Sequence, residues 1–215
     1  MKKIMFNDRY LLTSLVLSGC KTMTRRSESG IKINPKASSE AVKYAVDMHK
    51  AVRAGKSCIK LDDEIAISIQ TRYQIGEELA IAESYKSLLE KSLPLDLPLD
   101  LERKLQKLVE QGHPGSSNKM YVSPELMPHR IRITDFKVER QQDISDEDCM
   151  KEGIRKVLDK FFYFEGYEAG IKECPCGNYL DTPQEAFSQF VNKAMGKNTW
   201  ERNAWVVAYE FELVK

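Results

Sequence analysis

The densest group of reactive side chains in this sequence is Gly19-Cys20-Lys21-Thr22-Met23-Thr24-Arg25-Arg26. Lys21 and Thr24 are three residues apart, so a turn there points them the same way. A threonine hydroxyl is a poor nucleophile until a base takes its proton, and a lysine partly desolvated in a pocket can be that base. A carboxylate from elsewhere in the chain can then position groups or shuttle the proton. The same side chains also suit binding without reaction. Lysine and arginine attract phosphate, and the arginine fork matches phosphate oxygens or a guanine edge. The plainest alternative is a basic helix end followed by a solvated turn.

Metal chemistry has weaker support. The five cysteines are Cys20, Cys58, Cys149, Cys174 and Cys176, an odd number at irregular spacing. That pattern argues against a disulfide framework and for a reducing compartment. Cys174-Pro175-Cys176 has no second ligand pair beside it, since His49, His113 and His129 are scattered. No metal site and no cofactor is expected.

The elements around the reactive segment can be read from periodicity. Leu11, Leu12, Leu15 and Val16 form the apolar stripe of a short helix that Gly19 ends in a left-handed turn. Leu17-Ser18-Gly19-Cys20 matches a lipoprotein cleavage box, but Asn7, Asp8 and Arg9 interrupt the apolar core that secretion needs. The expected location is therefore cytoplasmic, with no membrane-spanning stretch. Residues 38–54 read as a helix, Ile65 to Ile69 as a strand, and Leu79 to about Tyr85 as another. Residues 86–118 look like an insertion holding prolines and a one-faced helix through Leu101, Leu105 and Leu108. Met120 to Val122 is a short strand candidate, and Arg130 to Arg140 a longer one that turns Ile131 and Ile133 to one face and Arg130 and Arg132 to the other. Ser145 caps a helix that carries Glu152 and meets Gly153. Thr182-Pro183-Gln184-Glu185 is a capping box opening a helix to about Met195. Trp205, Val207, Tyr209, Phe211 and Leu213 alternate along a further strand. Trp200 and Trp205 read as core residues rather than stacking platforms.

No βαβ rhythm and no glycine-rich phosphate loop appears. The expectation is a single α+β domain over 1–215: a small, mostly antiparallel β-barrel with flanking helices. Helical insertions are expected at 27–60, 86–118 and 155–200. The charge is divided along the chain. Residues 1–60 hold 13 Lys+Arg and 4 Asp+Glu, a balance of +9, which leaves −8 for the other 155 residues of a chain whose net charge is +1. The basic quarter can face a polyanion, or acidic later segments can fold back and neutralise it.

The pattern Gly19-x-Lys21-x-x-Thr24-x-Arg26 resembles the signature of the ASCH domain family, which is related to the PUA RNA-binding domains. Phe6-Asn7-Asp8-Arg9-Tyr10 looks like the family's start, and Tyr73 to Leu79, Ile144 to Gly153 and Trp205 to Leu213 are similar to later pieces of that family in the same order. Asn118 to Val122 and Met127 to Ile131 look like the form found in phage and prophage proteins of gut bacteria. The resemblance implies a PUA-like barrel with a cleft and two possible functions, and a third reading stands beside them. The first is a module binding RNA or a nucleoside or nucleotide through Lys21, Arg25 and Arg26, with Arg130 and Arg132 as outlying contacts. The second is a small amidohydrolase releasing acetate from 4-acetylcytidine, with Thr24 as nucleophile, Lys21 as its activator and Glu152 as acid or base. The third is a phage accessory protein that binds a protein partner through its insertions.

Overall fold

The computed structural model describes residues 1–52, 56–60, 66–90, 97–164 and 179–214. The strands are β1 (Lys2–Ile4), β2 (Met23–Arg26), β3 (Lys32–Ile33), β4 (Ser57–Lys60), β5 (Ala66–Ile69), β6 (Glu78–Ile81), β7 (Arg130–Arg140), β8 (Arg155–Val157), β9 (Lys160–Phe162) and β10 (Trp205–Val214). The helices are α1 (Leu12–Leu17), α2 (Ser39–Val52), α3 (Tyr85–Glu90), α4 (Leu99–Glu110), α5 (Asp146–Lys151) and α6 (Pro183–Met195). The architecture is mixed α+β, as expected, around a five-stranded sheet ordered β1-β6-β7-β10-β2.

That sheet corrects the expected barrel: among the described residues it does not close. β1 and β2 are its edges, and β1 runs parallel to β6 while the remaining pairs are antiparallel. A side chain bridges the gap where closure would occur, with Arg26 Nη2 donating to the Met5 carbonyl just past β1 at 2.8 Å.

Both faces of the sheet are covered, which explains why β10 buries Val206 and Ala208 as well as Val207, Tyr209 and Phe211. On one face Ile131, Ile133, Phe136, Val138, Val207 and Tyr209 pack against Val42, Ala45 and Val46 of α2 and against Ile67 and Ile69 of the small sheet β3-β5-β4. A second core joins α5 and α6 through Cys149, Ile154, Phe187 and Phe190. A third packs α3 and α4 beside β6 through Tyr85, Leu88 and Leu105. Trp205 packs on the first core and Trp200 on the second, as expected.

Several boundaries move for physical reasons. Leu11 is not in a helix but precedes α1 in a left-handed conformation (φ 54°). The expected strand to Tyr85 ends at Ile81, because Tyr85 opens α3 and buries its ring in the third core. Met120 to Val122 is no strand. Lys119–Tyr121 make a 3-10 turn that Asn118 caps by accepting from the Met120 N–H. The one-faced helix read through Leu101, Leu105 and Leu108 begins two residues earlier, at Leu99, as α4. The capping box of α6 forms as read, with Thr182 accepting from the Glu185 N–H and the Glu185 carboxylate accepting from the Thr182 N–H. Ile65, Pro94 and the Cys174–Cys176 pair lie outside the described residues. No helix among the described residues is long and apolar enough to cross a membrane.

Candidate functional site

Gly19 (φ 73°) ends α1 in the left-handed turn that its residue type favours. The chain then drops into β2 against the end of α5. The Thr22 N–H donates to the Lys151 carbonyl at 2.9 Å, and Lys21 Nζ donates to the Glu152 carbonyl at 2.7 Å. Lys21 is therefore a cation at the negative end of a short helix, capping carbonyls that lack intrahelical partners. Its ammonium also meets Glu152 Oε2 at 2.5 Å, with both side chains almost fully buried. Gly153 (φ 109°) follows Glu152, and a Cβ there would crowd Leu15 Cδ1 at 3.0 Å.

Arg25 extends the contact into a network. Nη1 donates to Glu152 Oε1 at 3.2 Å, and Nη2 donates to Glu139 Oε1 at 2.5 Å and to Asp148 Oδ2 at 3.3 Å. Lys137 bridges Asp148 and Glu139, and Lys151 pairs with Glu210 at 3.1 Å. The cations Lys21, Arg25, Lys137 and Lys151 thus face the anions Glu139, Asp148, Glu152 and Glu210, and the charges cancel. Burial pushes the Lys21 ammonium below the usual lysine range, and Glu152 only partly opposes it. Burial also disfavours charge on Arg25 and Asp148, but their partners win. Glu152 and Glu139 hold the Arg25 guanidinium above its ordinary value, and Lys137 and Arg25 hold the Asp148 carboxyl below its own.

Thr24 is in a different setting. Strand side chains alternate between faces. Thr24 sits opposite Tyr209 in the β2–β10 register, whereas Arg25 sits opposite Ala208. The Thr24 side chain makes no hydrogen bond among the described residues, to Lys21 or Glu152 included. It lines a cleft of about 360 Å³ with Arg25, Arg26, Glu28, Arg72 and Phe190. Tyr209 shapes the wall: its hydroxyl donates to Glu28 Oε1 at 2.7 Å and accepts from the Arg72 N–H at 3.1 Å, while Glu28 Oε2 accepts from the same N–H at 2.9 Å. Burial, reinforced by Glu28, raises the phenol's pKa and keeps it protonated. The guanidinium Nε atoms of Arg25 and Arg26 are buried without a partner among the described residues.

The structure therefore brings Lys21, Glu152 and Arg25 together and leaves Thr24 and Arg26 at the cleft. Arg130 and Arg132 join neither group. They are exposed on β7 and pair with Glu78, with Arg132 also meeting Glu212 at 3.2 Å. Sequence reading missed Glu139, Lys137 and Asp148 in the network, and Glu28, Arg72 and Phe190 at the cleft. Among the described residues no cluster of three or more His, Cys, Asp or Glu could hold a metal.

No protein-family model and no curated protein matches the chain. Among solved structures the chain is similar to the crystal structure of protein EF3133 from Enterococcus faecalis V583, described by the family model DUF984, at 13% identity and a TM-score of 0.33. The match covers 94% of this chain and 66% of that one.

Proposed function

We propose that the cleft beside β2 binds a nucleotide, free or as one unit of RNA, and that the chain is a divergent member of the PUA-like ASCH group. The observation that carries the binding reading is the uncommitted Thr24 hydroxyl in a cleft of about 360 Å³, a size within the range of small-ligand sites. Arg26 and Arg72 border it with no carboxylate in ion-pair contact among the described residues. They carry no ion-pair partner among the described residues, although Arg26 Nη2 also donates to the Met5 carbonyl, whereas Lys21 and Arg25 are neutralised in the network behind them. Phe190 offers an aromatic edge to a base, and Glu28 accepts hydrogen bonds from ribose hydroxyls or an exocyclic amine.

The test is calorimetric titration with the four ribonucleoside monophosphates at low salt. Thr24→Val and Arg26→Ala should each weaken binding about 3- to 10-fold, the worth of one hydrogen bond or one exposed cation contact. Thr24→Val should leave the unfolding free energy within about 0.5 kcal/mol of wild type, because no hydrogen bond is lost. Single-stranded RNA should bind with a log–log salt slope near −1.4, from about 0.7 per free cation. Binding indifferent to Thr24 and Arg26, or none at all, removes this reading.

A second reading, deacetylation of 4-acetylcytidine by Thr24, Lys21 and Glu152, draws on the 2.5 Å Lys21–Glu152 contact and the depressed lysine. It needs the Thr24 hydroxyl to come within reach of Lys21. Acetate release by wild type that is lost in Thr24→Val would favour it over binding alone.

A further inference from the structure

The Thr24 cleft has two unlike ends, and the hollows beside it mark them. One end adjoins a hollow of about 340 Å³, and the residues that line both spaces are Ser27, Glu28 and Arg72. That end is polar, and Arg72 is exposed there. The other end adjoins a void of about 10 Å³, and the residues that line both spaces are Leu12 and Phe190. A side chain that faces two spaces is the wall between them.

This inner wall is apolar and braced. Phe190 is 7% exposed, and its ring is held by Tyr10 at 5.2 Å, Tyr163 at 5.8 Å and Phe187 at 6.0 Å between centroids. Leu12 is half-buried at the start of α1, and its Cδ2 lies 3.9 Å from where a Cβ on Gly153 would stand. Glu152 and Gly153 line the void on the far side of the wall. A void of that size holds about one water molecule and no part of a ligand. Arg25 also lines the cleft, but Glu139, Asp148 and Glu152 already hold its charge.

A phosphate set against an apolar wall would lose hydration without a partner, whereas a base there buries apolar surface. At the opposite end the phosphate meets a cation. The two ends therefore impose one direction on a nucleotide. We propose that it enters base first, with the base edge remote from the ribose against Leu12 and Phe190 and the phosphate at Arg72, and that Leu12 sets the longest base the cleft admits. The proposal rests on the nucleotide reading of the cleft.

The experiment is titration calorimetry with adenosine, AMP, CMP, and AMP and CMP that carry an isopropyl group on the exocyclic amine. That group is the one Leu12→Ala removes from the wall. Wild type should bind the substituted nucleotides about tenfold more weakly than their parents. Leu12→Ala should close the gap, and Leu12→Phe, which thickens the wall, should weaken AMP and CMP themselves. AMP should bind wild type about 3- to 10-fold tighter than adenosine, and Arg72→Ala should narrow that difference. If Leu12→Ala does not fold, Leu12→Phe and the wild-type comparison carry the test. Equal binding of parent and substituted nucleotides by wild type, a gap that survives Leu12→Ala, or undiminished AMP binding in Leu12→Phe overturns the role of Leu12 while the cleft reading stands. An AMP–adenosine difference that survives Arg72→Ala overturns the direction of entry. Binding of neither AMP nor CMP overturns the proposal as well, and the cleft reading is then decided by the other two monophosphates.

Discussion

Glu152→Gln probes the network most directly. The carboxylate accepts from Lys21 at 2.5 Å and from Arg25 at 3.2 Å, and the Lys21 side chain is 1% exposed. Glutamine keeps one acceptor oxygen and turns an N–H₂ group toward a cation. Breaking a buried ion pair from one side costs about 3–5 kcal/mol, because the remaining charge has no compensation. Arg25 retains Glu139 and Asp148, and Lys21 retains the Glu152-position carbonyl, so the lower end, about 3 kcal/mol, is expected. For a chain of this size that is a fall in Tm of about 6–12 °C. The loss also has a pH signature. Lys21 titrates in the fold below its ordinary value of 10.5. The unfolded chain therefore holds more protons between the folded pKa and 10.5, and stability from this group rises with pH in that window. Without Glu152 the lysine pKa drops further, so the deficit of the variant should shrink as pH rises through the two folded pKa values, both below 10.5. Urea unfolding across that range measures both effects. Adding Lys21→Met to Glu152→Gln should recover most of the loss, since the uncompensated ammonium is gone. A loss under about 1 kcal/mol, or an equal loss with Lys21→Met present, would refute the reasoning.

Three further outcomes follow from the same geometry. Asp148 is held below its ordinary 3.8 in the fold, so its contribution is complete above that value and disappears as pH falls through the lower, folded pKa; Asp148→Asn should flatten the acid limb of a stability-against-pH curve. Gly153→Ala places a Cβ 3.0 Å from Leu15 Cδ1 at φ 109° and should cost about 1–3 kcal/mol by chemical denaturation. Burial pushes the Cys149 thiol up to about 12, so iodoacetamide at pH 8 should label the exposed Cys58 and leave Cys149 unmodified when peptides are mapped by mass spectrometry.

The local elements were legible where one physical signal dominated. The α6 capping box, the Ser145 cap of α5 and the alternation along β10 all appear where the residues place them. The basic segment was legible as a place and not as an arrangement, because its neutralising partners come from β7 and from α5 and its end. The acidic later segments do fold back onto Lys21 and Arg25, which was one of the two readings of the +9 balance. β7 hid its part for a specific reason. Its register slips opposite Glu210/Phe211, which leaves Thr134 without a partner position. Past that bulge the buried positions change from odd (Ile131, Ile133) to even (Phe136, Val138). Strict alternation would have put Lys137 and Glu139 on the core face, whereas they meet Asp148 and Arg25. The open sheet was hidden too, because the choice between a closed barrel and edges bridged by one arginine depends on long-range pairing that period-2 patterns do not encode.

The strand order has a consequence for how the protein is made. β10 lies between β7 and β2, yet ribosomes produce it after all the other described strands. Until Trp205–Val214 emerges, β2 has no strand to pair with, and Tyr209 is not there to hold Glu28 and the Arg72 N–H at the cleft. A nascent chain stalled before residue 205 would therefore carry the basic segment without an assembled Thr24 cleft.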